Sequence, residues 1–139
     1  MTTSFTLTQK RLMRKAQQPP RASESAEQRA VIEWARLQAG AYPELALLFH
    51  IPNGGKRPSR TGAMLRLQGV VAGVPDLFMA CARRGHHGLW IEMKAERGRV
   101  SEAQGAMIVR LRHEGYHVVV CYNAGEAITA IATYLGIRL

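Results

Sequence analysis

Acidic residues are scarce in this chain, and where they are missing matters more than how many there are. Its 139 residues carry 10 Asp plus Glu against 19 Lys plus Arg, a formal charge of +9. From Met1 to Ser23 the cations Lys10, Arg11, Arg14, Lys15 and Arg21 occur without a single acid. Between Glu44 and Glu92 the one acid is Asp76, which is also the only aspartate of the sequence. A surface so one-sided attracts polyanions, because each neutralised phosphate releases counterions whatever the base sequence. Nucleic acid is the expected partner; solubility alone would not require acids to be absent from particular stretches. Long apolar runs are also missing. No stretch approaches about 18 apolar residues, and the basic N-terminal segment lacks the apolar run of a signal peptide, which argues against a membrane span and against secretion. The two cysteines, Cys81 and Cys121, each close an apolar strand-like run. They read as buried reduced thiols, consistent with a reducing cytoplasm, and not as a disulfide or a metal pair. Aromatic residues make up only 6%, too few for the interleaved stacking platform of an RNA-binding module, while 47% apolar residues suffice for one ordinary globular core.

The patterning divides the chain into a basic flexible arm, residues 1–22, closed by Gln17-Gln18-Pro19-Pro20, and a folded domain over 23–139. Ser23 is an expected N-cap, with Glu24 and Glu27 in the first turn and Val31, Trp34, Ala35 and Gln38 on one face of a helix ending near Gly40. Leu45 to Ile51 reads as a strand, followed by the turn chemistry of Pro52-Asn53-Gly54-Gly55. A short helix is expected over Ser59 to Gln68. Two antiparallel strands, Asp76 to Ala80 and Gly88 to Lys94, flank a hairpin-length loop over Arg83 to His87. Ser101-Glu102-Ala103-Gln104 matches a capping box and opens a helix over roughly 101 to 113, with Ala103, Ala106, Met107 and Leu111 on its stripe. Tyr116 to Tyr122, with three consecutive valines, is expected to be a buried central strand, and Ile128, Ile131 and Leu135 mark a last amphipathic helix. The order αβ(α)ββαβα implies an α/β domain with a mixed sheet flanked by helices.

Chemistry concentrates on the second hairpin strand. Side chains alternate faces along Leu89-Trp90-Ile91-Glu92-Met93-Lys94, so Trp90, Glu92 and Lys94 project together. Asp76 opens the partner strand sixteen residues upstream of Glu92, a hairpin separation that brings the two carboxylates side by side. Paired carboxylates repel unless a cation separates them, and an all-oxygen set favours a hard ion, Mg²⁺ or Mn²⁺, over zinc. Such an ion would support hydrolysis of a phosphodiester, with Lys94 stabilising charge or orienting water. The rival reading makes Glu92 and Lys94 an ion pair on an exposed strand and Asp76 a turn cap.

Four separate stretches decide between them. Ile51-Pro52-Asn53-Gly54-Gly55-Lys56-Arg57, Gly69-Val70-Val71-Ala72-Gly73-Val74-Pro75-Asp76-Leu77, Gly88-Leu89-Trp90-Ile91-Glu92-Met93-Lys94 and Gly98-Arg99-Val100-Ser101-Glu102-Ala103-Gln104 resemble, in this order, the VRR-Nuc (virus-type replication-repair nuclease) domain of the PD-(D/E)xK nuclease superfamily. The resemblance spans about Ser23 to Leu135. It implies a restriction-endonuclease-like core in which Asp76 and Glu92 bind metal, the Met93 backbone carbonyl completes the site and Lys94 is catalytic. It also implies a metal-binding glutamate on the first helix: Glu24, with Gln28 one turn on, or Glu27 as its rival. Gln104 resembles the glutamine that follows the catalytic strand, which implies a place near the site with the catalytic residues; the alternative is a capping-box residue and nothing more. Asn53, Gly54, Gly55, Lys56 and Arg57, with Arg60 beyond them, resemble a loop near the scissile phosphate and are expected to contact DNA; the alternative is an ordinary turn. No P-loop is present, so nucleotide hydrolysis has no support. His50 precedes this loop and could face the site, although it reads more simply as a satisfied strand-end histidine; His86 and His87 read as hairpin-tip residues without a ligand role.

The expectation is therefore a Mg²⁺- or Mn²⁺-dependent DNA endonuclease. By resemblance to stand-alone family members it is structure-selective, like a Holliday-junction resolvase, homodimeric, and set in phage or prophage replication, recombination or repair. A catalytically silent DNA-binding module using the same basic face is the alternative.

Overall fold

A computed structural model describes residues 6–7, 22–52 and 59–139. Helix α1, Glu24–Gln38, begins where expected: Ser23 is extended, and its hydroxyl accepts from the Ala26 amide at 3.1 Å. The next element departs from expectation. Pro43 sits in the first turn of a 3-10 helix, Pro43–Leu47, and the strand that follows, β1, is only Leu48–His50. The apolar run Leu45 to Ile51 thus spans two elements, because proline's fixed φ and missing N–H suit a helical first turn. Helix α2, Ser59–Leu67, precedes strands β2, Leu77–Met79, and β3, Leu89–Met93. Between these strands Arg83 and His86 exchange backbone hydrogen bonds of 3.2 and 2.8 Å around Arg84 (φ 52°) and Gly85 (φ 76°), a tight turn of the kind that matches strand twist. Helix α3, Glu102–His113, strand β4, His117–Cys121, and helix α4, Ala124–Leu135, complete the domain.

The strands form one mixed sheet in the order β1-β2-β3-β4, antiparallel except for the β3–β4 pair. A mixed sheet flanked by helices is the α/β architecture read from the sequence. One sheet face carries Leu77, Met79, Leu89, Ile91 and Met93, all essentially inaccessible, packed with Val31 and Ala35 of α1 and Ala127, Ile131 and Tyr134 of α4. Each of the leucine, isoleucine, valine and methionine side chains among these contributes roughly 1.5–3 kcal/mol by leaving water. The opposite face receives α3, whose Ile108 is buried along with Val118 of β4.

Two further expectations need correction. Among the described residues β4 is an edge strand, not a central one; its valines reflect helices on both faces, since α3 and α4 both pack on it. The interior face of α3 is Gln104, Met107, Ile108 and Leu111, whereas Ala103 and Ala106 are exposed. A polar residue therefore occupies the stripe where alanine was expected. Cys81 and Cys121 are buried free thiols, and burial pushes the Cys121 thiol up to about 11, which keeps it protonated and inert. No helix among the described residues is long and apolar enough to cross a membrane.

Candidate active site

The site forms where β3 runs out beside the chain entering β2. Gly73 makes this meeting possible: its φ is +88°, and a Cβ there would stand 2.5 Å from the Ala103 carbonyl oxygen. Glycine thus lets the segment leading to buried Pro75 and then Asp76 lie against the first turn of α3.

Asp76 is fixed from both sides. Its Oδ2 accepts from the Met93 amide at 2.8 Å. Its backbone carbonyl accepts from the Ile51 amide at 2.8 Å and from Nδ1 of His50 at 2.7 Å. Glu92 is 2% exposed, and its Oε1 accepts from Lys94 Nζ at 3.1 Å and from Gln104 Nε2 at 2.6 Å. Lys94 is itself 9% exposed. The Gln104 amide works at both ends, since its Oε1 accepts from the Ser101 amide at 2.9 Å in the capping box. One side chain therefore ties the start of α3 to the carboxylate on β3, which explains a glutamine on the interior stripe.

Burial, followed by the negative charge of Asp76, pushes the Glu92 carboxyl up to about 7 despite the Lys94 hydrogen bond. Burial also raises the Asp76 carboxyl, opposed by the Met93 N–H and by the charges of His50 and Lys94; Glu24 adds repulsion to both carboxylates. Among the described residues this corner sets Glu24, Asp76 and Glu92 against Lys94 and His50, in a chain of net +9.

The two helix glutamates part company. Glu24 Oε1 accepts from the Ala95 amide at 3.1 Å, immediately after Lys94, whereas Glu27 Oε2 accepts from the Ala124 amide at 2.7 Å at the start of α4. Asn53, Gly54, Gly55, Lys56 and Arg57 and the Arg60 side chain lie outside the described residues. His50 is the contact that sequence reasoning set aside. The available signal was register, because His50 pairs with Leu77, the neighbour of Asp76.

Among the described residues no three His, Cys, Asp or Glu side chains form a cluster that could hold a metal ion. The donor chemistry nonetheless fits a hard divalent ion that keeps most of its waters and takes one or two carboxylates, as Mg²⁺ commonly does. Asp76 and Glu92 would supply those carboxylates, and burial with the nearby Asp76 charge is what raises the Glu92 carboxyl.

A solved structure of a VRR-NUC domain protein superposes with a TM-score of 0.72 at 30% sequence identity, covering 85% of this chain and 92% of its own. No curated protein matched the chain. Residues 21–125 match the VRR-NUC domain, a span holding Asp76, Glu92, Lys94 and Gln104, and the chain belongs to that family of nuclease-like DNA-processing domains.

Proposed function

We propose that the protein is a divalent-metal-dependent DNA endonuclease of PD-(D/E)xK type. The observation that carries this reading is the cluster of buried Glu92 and Lys94 with half-buried Asp76 and Gln104, in which a carboxyl pushed up to about 7 lies beside a second carboxylate and a lysine. Asp76 and Glu92 would hold Mg²⁺ or Mn²⁺, with Glu24 and the Met93 carbonyl as further donors. When bound, the ion supplies Lewis acidity toward the phosphodiester and a more acidic water. Lys94, held by Glu92, places a fixed positive charge for the developing charge on phosphorus. Gln104 keeps the Glu92 carboxylate in place, and Asn53, Gly54, Gly55, Lys56, Arg57 and Arg60 contact the DNA backbone.

The preferred substrate in this reading is branched DNA. A two-fold homodimer would present two sites to two strands of a junction. Exposed Met64 and Leu67 on α2 and Val71 after it offer apolar surface for such pairing. Phage or prophage DNA replication, recombination or repair, in the cytoplasm of a bacterial or infected host cell, is the setting that fits. The absence of a ready-made three-ligand cluster among the described residues favours one second reading, a DNA-binding module that does not cut.

The test is cleavage of labelled four-way junction, flap, fork, duplex and single-stranded DNA by wild type and Asp76→Asn, with Mg²⁺, Mn²⁺ or EDTA. Metal-dependent cutting lost in the variant supports the nuclease, and junction preference supports the resolvase-like form. Salt-sensitive binding without cutting under any metal overturns it in favour of the binding module.

A further inference from the structure

His50 closes β1 as an exposed residue, yet its ring is not free to turn. A carbonyl oxygen can only accept, so the 2.7 Å contact to the Asp76 backbone requires that Nδ1 carry the proton and donate. The same carbonyl receives the Ile51 amide at 2.8 Å. Residue 76 itself precedes β2, outside the β1–β2 ladder, which pairs Leu48–His50 with Leu77–Met79. Two donors from one neighbouring strand end therefore converge on the peptide group that carries the Asp76 side chain. On its other side the Asp76 carboxylate is fixed by the Met93 amide of β3.

We propose that His50 is a positioning residue: through Nδ1 it anchors the Asp76 carbonyl and so sets the direction in which the Asp76 carboxylate faces the site. Its consequence for metal binding rests on the nuclease reading above; the anchoring does not. A partner of this kind, one step removed from a ligand, typically changes metal affinity by roughly 10–100-fold when removed.

Because Asp76 is the only aspartate in the chain, ¹³C-labelled aspartate gives one carbonyl and one carboxyl signal from the full-length protein. The variants separate the two ring nitrogens. In His50→Asn the amide nitrogen replaces Nδ1 at the same distance from the backbone, whereas in His50→Gln it reaches the Nε2 position. With the metal-free protein, the Asp76 carbonyl signal should shift in His50→Ala and His50→Gln and return toward wild type in His50→Asn. With Mn²⁺ titrated in, the concentration that half-broadens the carboxyl signal should rise roughly tenfold in His50→Ala and recover in His50→Asn. An unchanged carbonyl signal in His50→Ala, or rescue by Gln and not Asn, overturns the proposal. If Mn²⁺ leaves the wild-type carboxyl signal untouched, the metal reading fails, and the carbonyl shift still decides for or against the anchor. Thermal melts of each variant identify any that does not fold.

Discussion

At one end of the sheet, where β3 stops, Glu24, Asp76 and Glu92 gather around Lys94; at the other, where the β2–β3 hairpin turns, arginines, histidines and a tyrosine gather instead. The hairpin end closes its own accounts. Arg84 Nε donates to the Tyr134 carbonyl at 3.3 Å, Arg112 donates to the Val118 carbonyl at 2.8 Å, and Arg83 pairs with Glu44 at 3.1 Å. The Tyr134 hydroxyl donates to the Cys81 carbonyl at 2.6 Å and accepts from the Arg83 amide at 3.1 Å. Polar side chains there complete backbone hydrogen bonding, as buried polar groups must. The carboxylate end is also hydrogen-bonded, but among the described residues its three carboxyls face only Lys94 and His50. Burial there raises two carboxyls, whereas at the hairpin end burial and the nearby His86 and Arg112 lower the His117 imidazole toward its neutral form. Satisfied bonds with unmatched charge describe a site awaiting a partner; satisfied bonds with charge suppressed describe structure.

The sharpest way to break this comparison is to exchange function between the ends. Asp76→Asn or Glu92→Gln should lower the cleavage rate by on the order of 10³-fold or more, because each removes a carboxylate from the proposed metal site. Arg84→Ala should leave the rate per folded molecule unchanged. Gel-resolved cleavage at saturating DNA reads both. An Asp76→Asn enzyme as fast as wild type would end the distinction.

The glycines make the next comparison, on stability. Gly73→Ala meets both a strained φ and the Ala103 carbonyl, so it should cost roughly 3 kcal/mol or more. Gly85 has φ +76° with nothing within 4 Å of a Cβ, so Gly85→Ala should cost only about 1 kcal/mol. Urea midpoints compare them directly. Tyr134→Phe should cost about 1 kcal/mol by removing the hydroxyl that donates to the Cys81 carbonyl, the Arg83 amide keeping its bond to the His86 carbonyl, with kcat unaffected. A fall in kcat would mean that the hairpin end is coupled to the chemistry.

These differences show why some of the molecule is legible in sequence. Ser23, the Ser101 to Gln104 box and the alternation along Leu89 to Met93 are local signals, and each appears in the structure as read. Misreadings arise where a residue answers to something distant. Leu45 follows a proline-started helical turn although its apolar neighbours read as strand. Gln104 faces inward because Glu92 is there, and without that partner Ala103 and Ala106 look like the better stripe. The valines of β4 report burial between α3 and α4, not position within the sheet. His50 reads as an ordinary strand end until strand pairing puts it against Asp76. The separation of Glu24 from Glu27 likewise rests on contacts 71 and 97 residues away.

The smallest effect expected is in pH, and its sign distinguishes the two ends without any DNA. Glu92 titrates at about 7 in the metal-free fold against 4.5 for an unperturbed glutamate. Because the folded state holds this proton more tightly, the resulting stability is complete below the unfolded value and is lost as pH rises through the folded one. Metal-free protein should therefore be less stable at pH 8 than at pH 6 through this group, by about 1 kcal/mol. Saturating Mg²⁺ favours the ionised carboxylate and should reverse the slope, since binding to the native state strengthens as the proton leaves. The imidazole of His117 lies below its ordinary value, so its contribution has the opposite sign and grows as pH rises through the unfolded value. Thermal melts in EDTA and in Mg²⁺ at both pH values, on wild type, Glu92→Gln and His117→Phe, separate the two contributions. A loss of stability between pH 6 and pH 8 that is independent of metal and persists in Glu92→Gln would remove Glu92 as its source, and with it the charge argument for the carboxylate site, since His117 contributes with the opposite sign.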